Sequence, residues 1–513
     1  MAQTNHDILR AASKNERRYI TRHSLGFYRA LTMTGLYTLE NNDTYANAFD
    51  ATTAESYFPA LKWYIDKHPI LSTAIAGQDT ENPVFVRPKE GMDLRRHVQV
   101  IQYDPRDGGD EIEALRRVLL ATHDKMFDDV ESVPPWKIVV VPLPGRTQDA
   151  KTKVYIIFAY SHSVGDGRSG LVFHKTFLEG LRVAHRTHDH SAIYKVADPF
   201  PLPPSLEDAC TLKISLGYLL FTLFGSYLPS FVRNRLEFQK EDATDGTWTG
   251  EVMSYPDDPD EFRTGAAILV VPKERLDAVL QICREKGGAR FTGLINQLIV
   301  RALSSSPALQ DPRTRSAPID NFIGQIVVDL RGLVKPYSDD MMVNCVSAIY
   351  ETSPRAQQDI DLKSDPAFWD AVRNTTTRLA KSASTLVNQP IGLMKYLSNI
   401  RQWTLEKLGE QRGSSYEISN AVVFDPSATT PGAVSGGAGQ DNNRRSWDIE
   451  RLVMSQPANA TSCPLSFSVV TRKGGDMVLT ANWQLGVLGV EDEDWFVKDV
   501  LRRIEGDLTV LSN

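Results

Sequence analysis

The chain has 513 residues, enough for two large domains or up to four of ordinary size. With 42% hydrophobic and 24% charged residues it has an ordinary globular composition, which excludes disorder, collagen and coiled coil as descriptions of the whole. Lys and Arg number 57 against 64 Asp and Glu, a net charge of −7, so the general basic field that nucleic-acid binders turn on phosphates is missing and no nucleic-acid partner is expected.

In chain order, the first 80 residues or so read as helix and turn. Helical spacing over Tyr57–Tyr64 ends at His68-Pro69, because proline disfavours helix at the residue before it. Short apolar runs follow at Val84–Val86 and Val98–Tyr103, then a helix over Glu111–Phe127. Lys137–Pro142 and Val154–Tyr160 read as buried strands, rich in β-branched and aromatic residues. The turn SHSVGDG comes next, and Arg168–His185 has helical spacing. Four prolines in 196–206 mark a linker. Beyond it are expected a strand at Ala266–Val271, helices at Lys273–Lys286 and Thr292–Leu303, and strands at Ile323–Leu330 and Val343–Tyr350. Residues 365–411 read as mostly helical, and Ser419–Phe424 as a strand. A Pro/Gly/Ser/Ala-rich loop spans 426–445. A hairpin (Leu465–Val470, Met477–Trp483) and a helix over Glu493–Leu508 close the chain. The division expected is 1–195, a crossover over 196–260, and 261–513.

The four cysteines, Cys210, Cys283, Cys345 and Cys463, are far apart and form no CxxC pair, so neither a zinc site nor a disulfide framework is expected. No apolar run of signal-peptide length opens the sequence. A cytoplasmic location is therefore expected. Ile214–Val232 carries no charged residue. Its serines, glycines and proline make it a weak span, so a buried or interfacial helix is the first reading. Residues 210–238 are accordingly the candidate for peripheral contact with an endoplasmic-reticulum or lipid-droplet membrane.

All ten histidines lie at or before His190, so histidine chemistry belongs to the first half. His6, His23, His185, His188 and His190 sit in polar contexts and read as solvent-facing; His68 precedes a proline and His97 follows two arginines. His188-Asp189-His190 lacks a third ligand, so no metal is expected. His162 differs. It follows an apolar strand by two residues and sits among Ser161, Ser163, Gly165 and Gly167, which leave room for a substrate. Imidazole can take a proton near neutral pH. Asp166, four residues on, could orient the ring or serve as a structural ion-pair partner. A hydrogen-bonded histidine with no catalytic role fits the pattern equally well.

Gly165-Asp166-Gly167-Arg168-Ser169-Gly170 also fits the dinucleotide pattern G-x-G-x-x-G. Against it, the residues that should form the next buried strand, RVAHRTHDH, are polar, and Asp166 would face a pyrophosphate. No G-x-S-x-G elbow surrounds Ser161 or Ser163, and no P-loop is present.

The H-x-x-x-D-G turn at His162, Asp166 and Gly167 after an apolar strand resembles the signature of acyltransferases with the chloramphenicol acetyltransferase fold. Further segments resemble the fungal alcohol acetyltransferases in order along the chain: HPILS (68–72), PPWKIVVV (134–141), YSHSVGDGRSG (160–170), FWD (368–370), YEISNAVVFD (416–425) and SFSVVTRKGG (466–475). The resemblance implies a mixed α/β chain of two like subdomains with a tunnel at their interface. It implies transfer of an acyl group from a thioester, acyl-CoA as cosubstrate, to the hydroxyl or amine of a small apolar acceptor. No permanently bound cofactor is implied.

In that family pattern His162 is the general base and Asp166 pairs with an arginine, here Arg331. Ser419 and Asn420 match the Ser-Asn position and are candidate oxyanion or substrate donors, with Ser163 on the turn itself. Asn344 matches an asparagine after the arginine strand. The plant-branch D-F-G-W-G motif is absent, and Ser161 stands where condensation domains carry a further histidine. A free-standing condensation-type enzyme taking its acyl group from a carrier protein is the alternative expectation, and a non-catalytic binding member of the fold is another.

Overall fold

The computed structural model describes residues 6–40, 49–104, 110–144, 151–183, 189–195, 202–224, 243–310, 318–427 and 447–513. The expected loop over 426–445 and much of the 196–206 linker lie outside the described residues, as do His185, His188 and the apolar segment beyond Phe224.

The first half contributes β1 (His6–Ala11), β2 (Leu31–Glu40), β3 (Ala74–Ala76), β4 (Val84–Pro88), β5 (Met92–Asp93), β6 (Val98–Val100), β7 (Trp136–Pro142), β8 (Lys151–Tyr160) and β9 (Ile193–Tyr194). The second contributes β10 (Thr264–Val271), β11 (Asn321–Asp329), β12 (Val346–Pro354), β13 (Tyr416–Phe424), β14 (Trp447–Ser455), β15 (Leu465–Arg472) and β16 (Met477–Gln484). Two sheets dominate. One has the order β14-β2-β8-β7-β6 and the other β10-β16-β15-β13-β11-β12. Each is mixed: β6 pairs parallel with β7, and β13 runs parallel to both β11 and β15, while the other pairings are antiparallel.

Each sheet has its own hydrophobic core. The first gathers Tyr37, Phe158, Phe173 and Phe177, with Trp447 and Met454 from far along the chain; the second gathers Trp248, Leu298, Phe467 and Phe496. The helix α4 (Gly167–Val183) covers the first sheet because Leu171, Phe173, His174, Phe177, Leu178 and Leu181 share its buried face. Phe173 stacks on Phe158 of β8 with ring centres 4.1 Å apart. This contact fixes where the β8–α4 turn, and hence His162, is held.

Several strands depart from the expected pattern, among them β1 and β3 within the first 80 residues, and two of them build the first sheet. Leu31–Glu40 is an interior strand between β14 and β8, not helix and turn. Its three threonines suit a strand, and Gly35 leaves space for His174, which a Cβ there would approach to 3.1 Å. Trp447–Ser455 lies beyond the expected boundary at 261, yet pairs with β2 in the first sheet. A register shift between Ile449 and Arg451 breaks its alternation, hiding it from a period-2 search. The two sheets therefore do not divide the chain at one point. Val343 and Asn344 precede the strand expected from residue 343, which starts at Val346.

The histidines are corrected as well. His23, His68 and His97 are buried, together with His123 and His174. His23 lies on the inward face of the helix α1 (Lys14–Ser24). Each of the others ties backbone or hydroxyl groups together: His97 Nδ1 with Trp136 O (2.8 Å), His123 Nδ1 with Ala30 O (2.7 Å), His174 Nε2 with Met33 O (3.0 Å), and His68 Nε2 with Thr176 Oγ1 (3.0 Å). Burial lowers all five, to about 4 for His23, His97, His123 and His174 and about 3 for His68.

These groups are neutral in the folded state and titrate near 6.5 when unfolded. Below pH 6.5 the unfolded chain binds more protons, so stability falls as pH drops from 6.5 toward 4, by about 1.4 kcal/mol per pH unit for each group. Urea midpoints at pH 7.5, 6 and 5 should fall steadily, and equal midpoints at 7.5 and 5 would contradict this burial.

Candidate active site

The site is assembled around the β8–α4 turn. Tyr160 ends β8 and donates from Oη to Asp166 O (2.8 Å), closing the turn. Asp166 then caps α4, accepting Ser169 N at Oδ1 (3.2 Å). Its other partners come from the second half: Arg331 Nη2 reaches Oδ1 at 2.6 Å, and Cys345 N donates to Oδ2 at 3.1 Å. Arg331 spreads its fork further, Nη2 to Val343 O (2.9 Å) and Nη1 to Asp329 Oδ1 (3.2 Å). Both side chains of the Asp166–Arg331 pair are 1% exposed. Burial alone would raise the Asp166 pKa, but the charge and hydrogen bond of Arg331 outweigh it and hold the carboxyl below its usual range. Burial likewise opposes the charge on Arg331, and Asp166 raises that group overall.

Asn344 follows directly from this anchoring. Its Nδ2 donates to His162 O (2.8 Å), which orients the amide and turns Oδ1 toward the ring, 3.0 Å from His162 Nδ1. A carbonyl oxygen cannot donate, so Nδ1 carries the hydrogen and Nε2 keeps its lone pair. Tyr19 of α1 stacks flat on the ring, 3.8 Å between centres and 5° between planes. Burial lowers the His162 pKa to about 4, against an opposing pull from Asp166, so the imidazole is a free base at neutral pH. Asp166 does not hydrogen-bond the ring: Nδ1 is held by a neutral amide, and the carboxylate serves Arg331.

His162 lines a cavity of about 800 Å³ between the two sheets, with walls from α1, β11, β12, β13, β14 and the helix Leu216–Phe224. Gly167 opens it at the start of α4: a Cβ there would stand 2.6 Å from Met454 Cε and 3.9 Å from Ser419 Oγ. Ser419 lines the same wall, and among the described residues its hydroxyl has no protein partner. Asn420 also reaches the cavity, but its amide is engaged, Nδ2 donating to Thr292 Oγ1 (3.0 Å) and Oδ1 accepting Val422 N (2.9 Å). Ser163 is placed elsewhere. Its hydroxyl donates to Ser161 Oγ (2.9 Å), and it borders a separate small pocket.

The glycines of the dinucleotide-like run serve packing. A Cβ on Gly170 would meet Met33 at 2.6 Å, and Asp166 is fully occupied. Among the described residues no three His, Cys, Asp or Glu side chains are grouped to hold a metal, and no helix is long and apolar enough to cross a membrane. The described part of the apolar segment is a short helix, Leu216–Phe224. Tyr218 and Phe221 are buried, Tyr218 and Leu219 face the cavity, and Leu216, Leu220 and Leu223 are exposed.

Sequence reasoning missed Tyr19, Arg18 and Arg22, all on α1. The capping box of Ser13 and Glu16 marks that helix in the sequence, but nothing there shows which face meets the cavity. Glu417 and Lys407, also on the cavity wall, carried no motif.

Comparison with known proteins agrees with this architecture. The sequence model of the alcohol acetyltransferase family matches residues 110–496. The probable alcohol acetyltransferase FCK4 of Fusarium pseudograminearum is 22% identical over 505 residues, covering 95% of this chain and 94% of its own. The probable alcohol acetyltransferase crmB of Aspergillus fumigatus is 22% identical over 491 residues, covering 93% and 94%. Among solved structures, the TRI3 trichothecene 15-O-acetyltransferase of Fusarium sporotrichioides superposes with a TM-score of 0.65 at 12% identity, covering 97% of this chain and 94% of that one. The fold is thus the two-subdomain, chloramphenicol acetyltransferase-like architecture, and the chain belongs to the alcohol acetyltransferase family.

Removing the charge of Asp166 leaves Arg331 buried without its main partner. Asp166→Asn should cost about 3–5 kcal/mol of stability. Urea denaturation would read this directly, and wild-type stability in the variant would show that the pair does not hold the turn.

Proposed function

We propose that the cavity transfers an acetyl group from acetyl-CoA, or a related short acyl-CoA, to an acceptor hydroxyl, with His162 as general base in a ternary complex. An amine is the next choice of acceptor. The observation that carries this reading is the reciprocal contact between His162 and Asn344, which leaves Nε2 unprotonated on the cavity wall of a chain from this family.

The acceptor O–H gives its proton to Nε2 as the oxygen attacks the thioester carbonyl, and a tetrahedral oxyanion forms. The Ser419 hydroxyl, unspent on the cavity wall, would donate to that oxyanion. On collapse the C–S bond breaks, the thiolate of coenzyme A leaves, and the imidazolium returns the proton to sulfur. No covalent acyl-enzyme forms. Asp166 and Arg331 hold the turn and move no proton. Asn420 supports the strand from which Ser419 projects. The volume is within the range of ordinary small-molecule sites, which suits an acceptor and the end of a pantetheine arm together.

Thiol release from acetyl-CoA in the presence of an alcohol should fall about 100-fold or more in His162→Ala. An unchanged rate would remove the ring from the chemistry. Ser419→Ala should lower kcat roughly 100-fold with little change in the KM for acetyl-CoA. A purely structural serine would instead alter stability. Because burial puts His162 at about 4, the ring is already neutral across the mildly acidic range. The acid limb of kcat/KM should therefore lie well below 6.5, with a flat profile from pH 8 to about 5.5. An inflection at 6.5 would place the base elsewhere.

A further inference from the structure

Among the described residues, three cations on the cavity wall form no salt bridge. Arg18 and Arg22 stand one turn apart on α1, and Lys407 approaches from just beyond the helix Ile400–Leu405. The guanidinium of Arg18 donates to Tyr19 Oη (2.7 Å) and lies 4.6 Å from the centre of that ring. Lys407 Nζ sits 3.8 Å from the centre of the Trp403 ring. Among the described residues Arg22 has no side-chain hydrogen bond, and its Nε is buried without a partner.

Two of the three acids on the same wall are in ion pairs, and the third, Glu417, is held by neutral amides and lends its charge to Arg22 and Arg18, which leaves the cations in excess. Glu417 accepts from Gln325 (2.8 Å) and Gln456 (3.1 Å), Asp166 is bound by Arg331, and Asp329 by Arg168 and Arg331. The crowding has a cost: burial, then Arg22 and Arg18, push Lys407 down to about 7, and burial, then Arg18, push Arg22 to about 10. Three cations gathered on a cavity wall with one carboxylate to balance them are expensive. A ligand that supplies the missing negative charge removes that expense.

We propose that this cluster receives a carboxylate carried by the acceptor, so that the substrate is a hydroxy acid and not a neutral alcohol. The proposal rests on the transfer reading above and adds to it the chemical class of the acceptor. Position favours the acceptor over the donor. Tyr19 lies against both the His162 ring and Arg18, so the cluster begins one side chain away from the base. With the thioester at His162, the long pantetheine arm carries the phosphates of coenzyme A far from this point. The acetyl group itself is uncharged. The aromatic rings of Tyr19 and Trp403 beside the cations would pack on the apolar body of such an acid.

Two measurements on the full chain test this. Calorimetric titration with hexanoate and its neutral isostere hexanamide should show hexanoate binding at least tenfold tighter, a preference lost in Arg22→Gln and in Lys407→Gln. These variants lie on different elements, so misfolding of one leaves the other to decide. Equal binding of acid and amide, or a preference that survives both substitutions, overturns the proposal. So does adenosine 3′,5′-bisphosphate losing affinity in both variants while hexanoate does not, since the cluster would then hold donor phosphates. In turnover with acetyl-CoA, 6-hydroxyhexanoate should exceed its methyl ester at least tenfold in kcat/KM. Hexanoate selectivity without acetyl transfer to either acceptor supports the carboxylate site and rejects the transfer reading. Efficient transfer to the ester without hexanoate selectivity does the reverse.

Discussion

The site depends on one buried ion pair, Asp166 with Arg331, which joins the β8–α4 turn to the end of β11. Taking two charges out of water costs several kcal/mol per ion, and attraction alone does not repay it. Here most of the remaining hydrogen-bonding capacity is also used. Asp166 accepts from Ser169 and Cys345, and Arg331 donates to Val343 O and Asp329 as well. A lysine ammonium could not span Asp166, Val343 and Asp329 from one position as the planar fork does. The pair therefore binds three pieces of chain at once: the turn, the end of β11, and residues 343–345.

Asn344 lies within that last piece, so the His162 ring inherits its orientation from the ion pair. This differs from a histidine held by a carboxylate. A neutral amide selects the tautomer as well as a carboxylate would, yet gives little support to the imidazolium. The consequence is a ring that stays deprotonated far into acid, at the expense of intrinsic basicity. In the transfer we propose, attack on a thioester, an activated carbonyl, is the kind of step in which a weak but fully available base suffices.

Much of this was legible in the sequence where local signals were strong. The turn carrying His162 stands out because an apolar strand, small residues and an amphipathic helix follow one another without interruption. The pairing of Asp166 with Arg331, 165 residues apart, came from family resemblance; spacing could not supply it. What stayed hidden was decided by tertiary packing. β2 is an interior strand of its sheet, buried on both faces, so it lacks the alternation of a half-exposed strand. β14 is interrupted by its register shift. His23 and His97 sit beside charged residues in sequence but face inward, since neighbours along the chain do not determine which side a ring takes. The inward face of α1, with Tyr19 on the base and two arginines beyond it, depends on what the helix is packed against.

The confinement of histidine to the first half has a structural counterpart. The first half supplies His162, the base we propose, and the second supplies the amide of Asn344 that fixes its tautomer and the hydroxyl of Ser419 on the same cavity wall. The second half also reaches across through β14, whose Met454 faces Gly167 at the cavity wall. Just past its end, Gln456 joins Tyr28 of the first half to Glu417 of the second. A half that folded alone would hold a histidine with neither a fixed tautomer nor an enclosing cavity. Docking of the two sheets is thus part of making the site, and β14, which the second half lends to the first sheet, places that docking within folding itself.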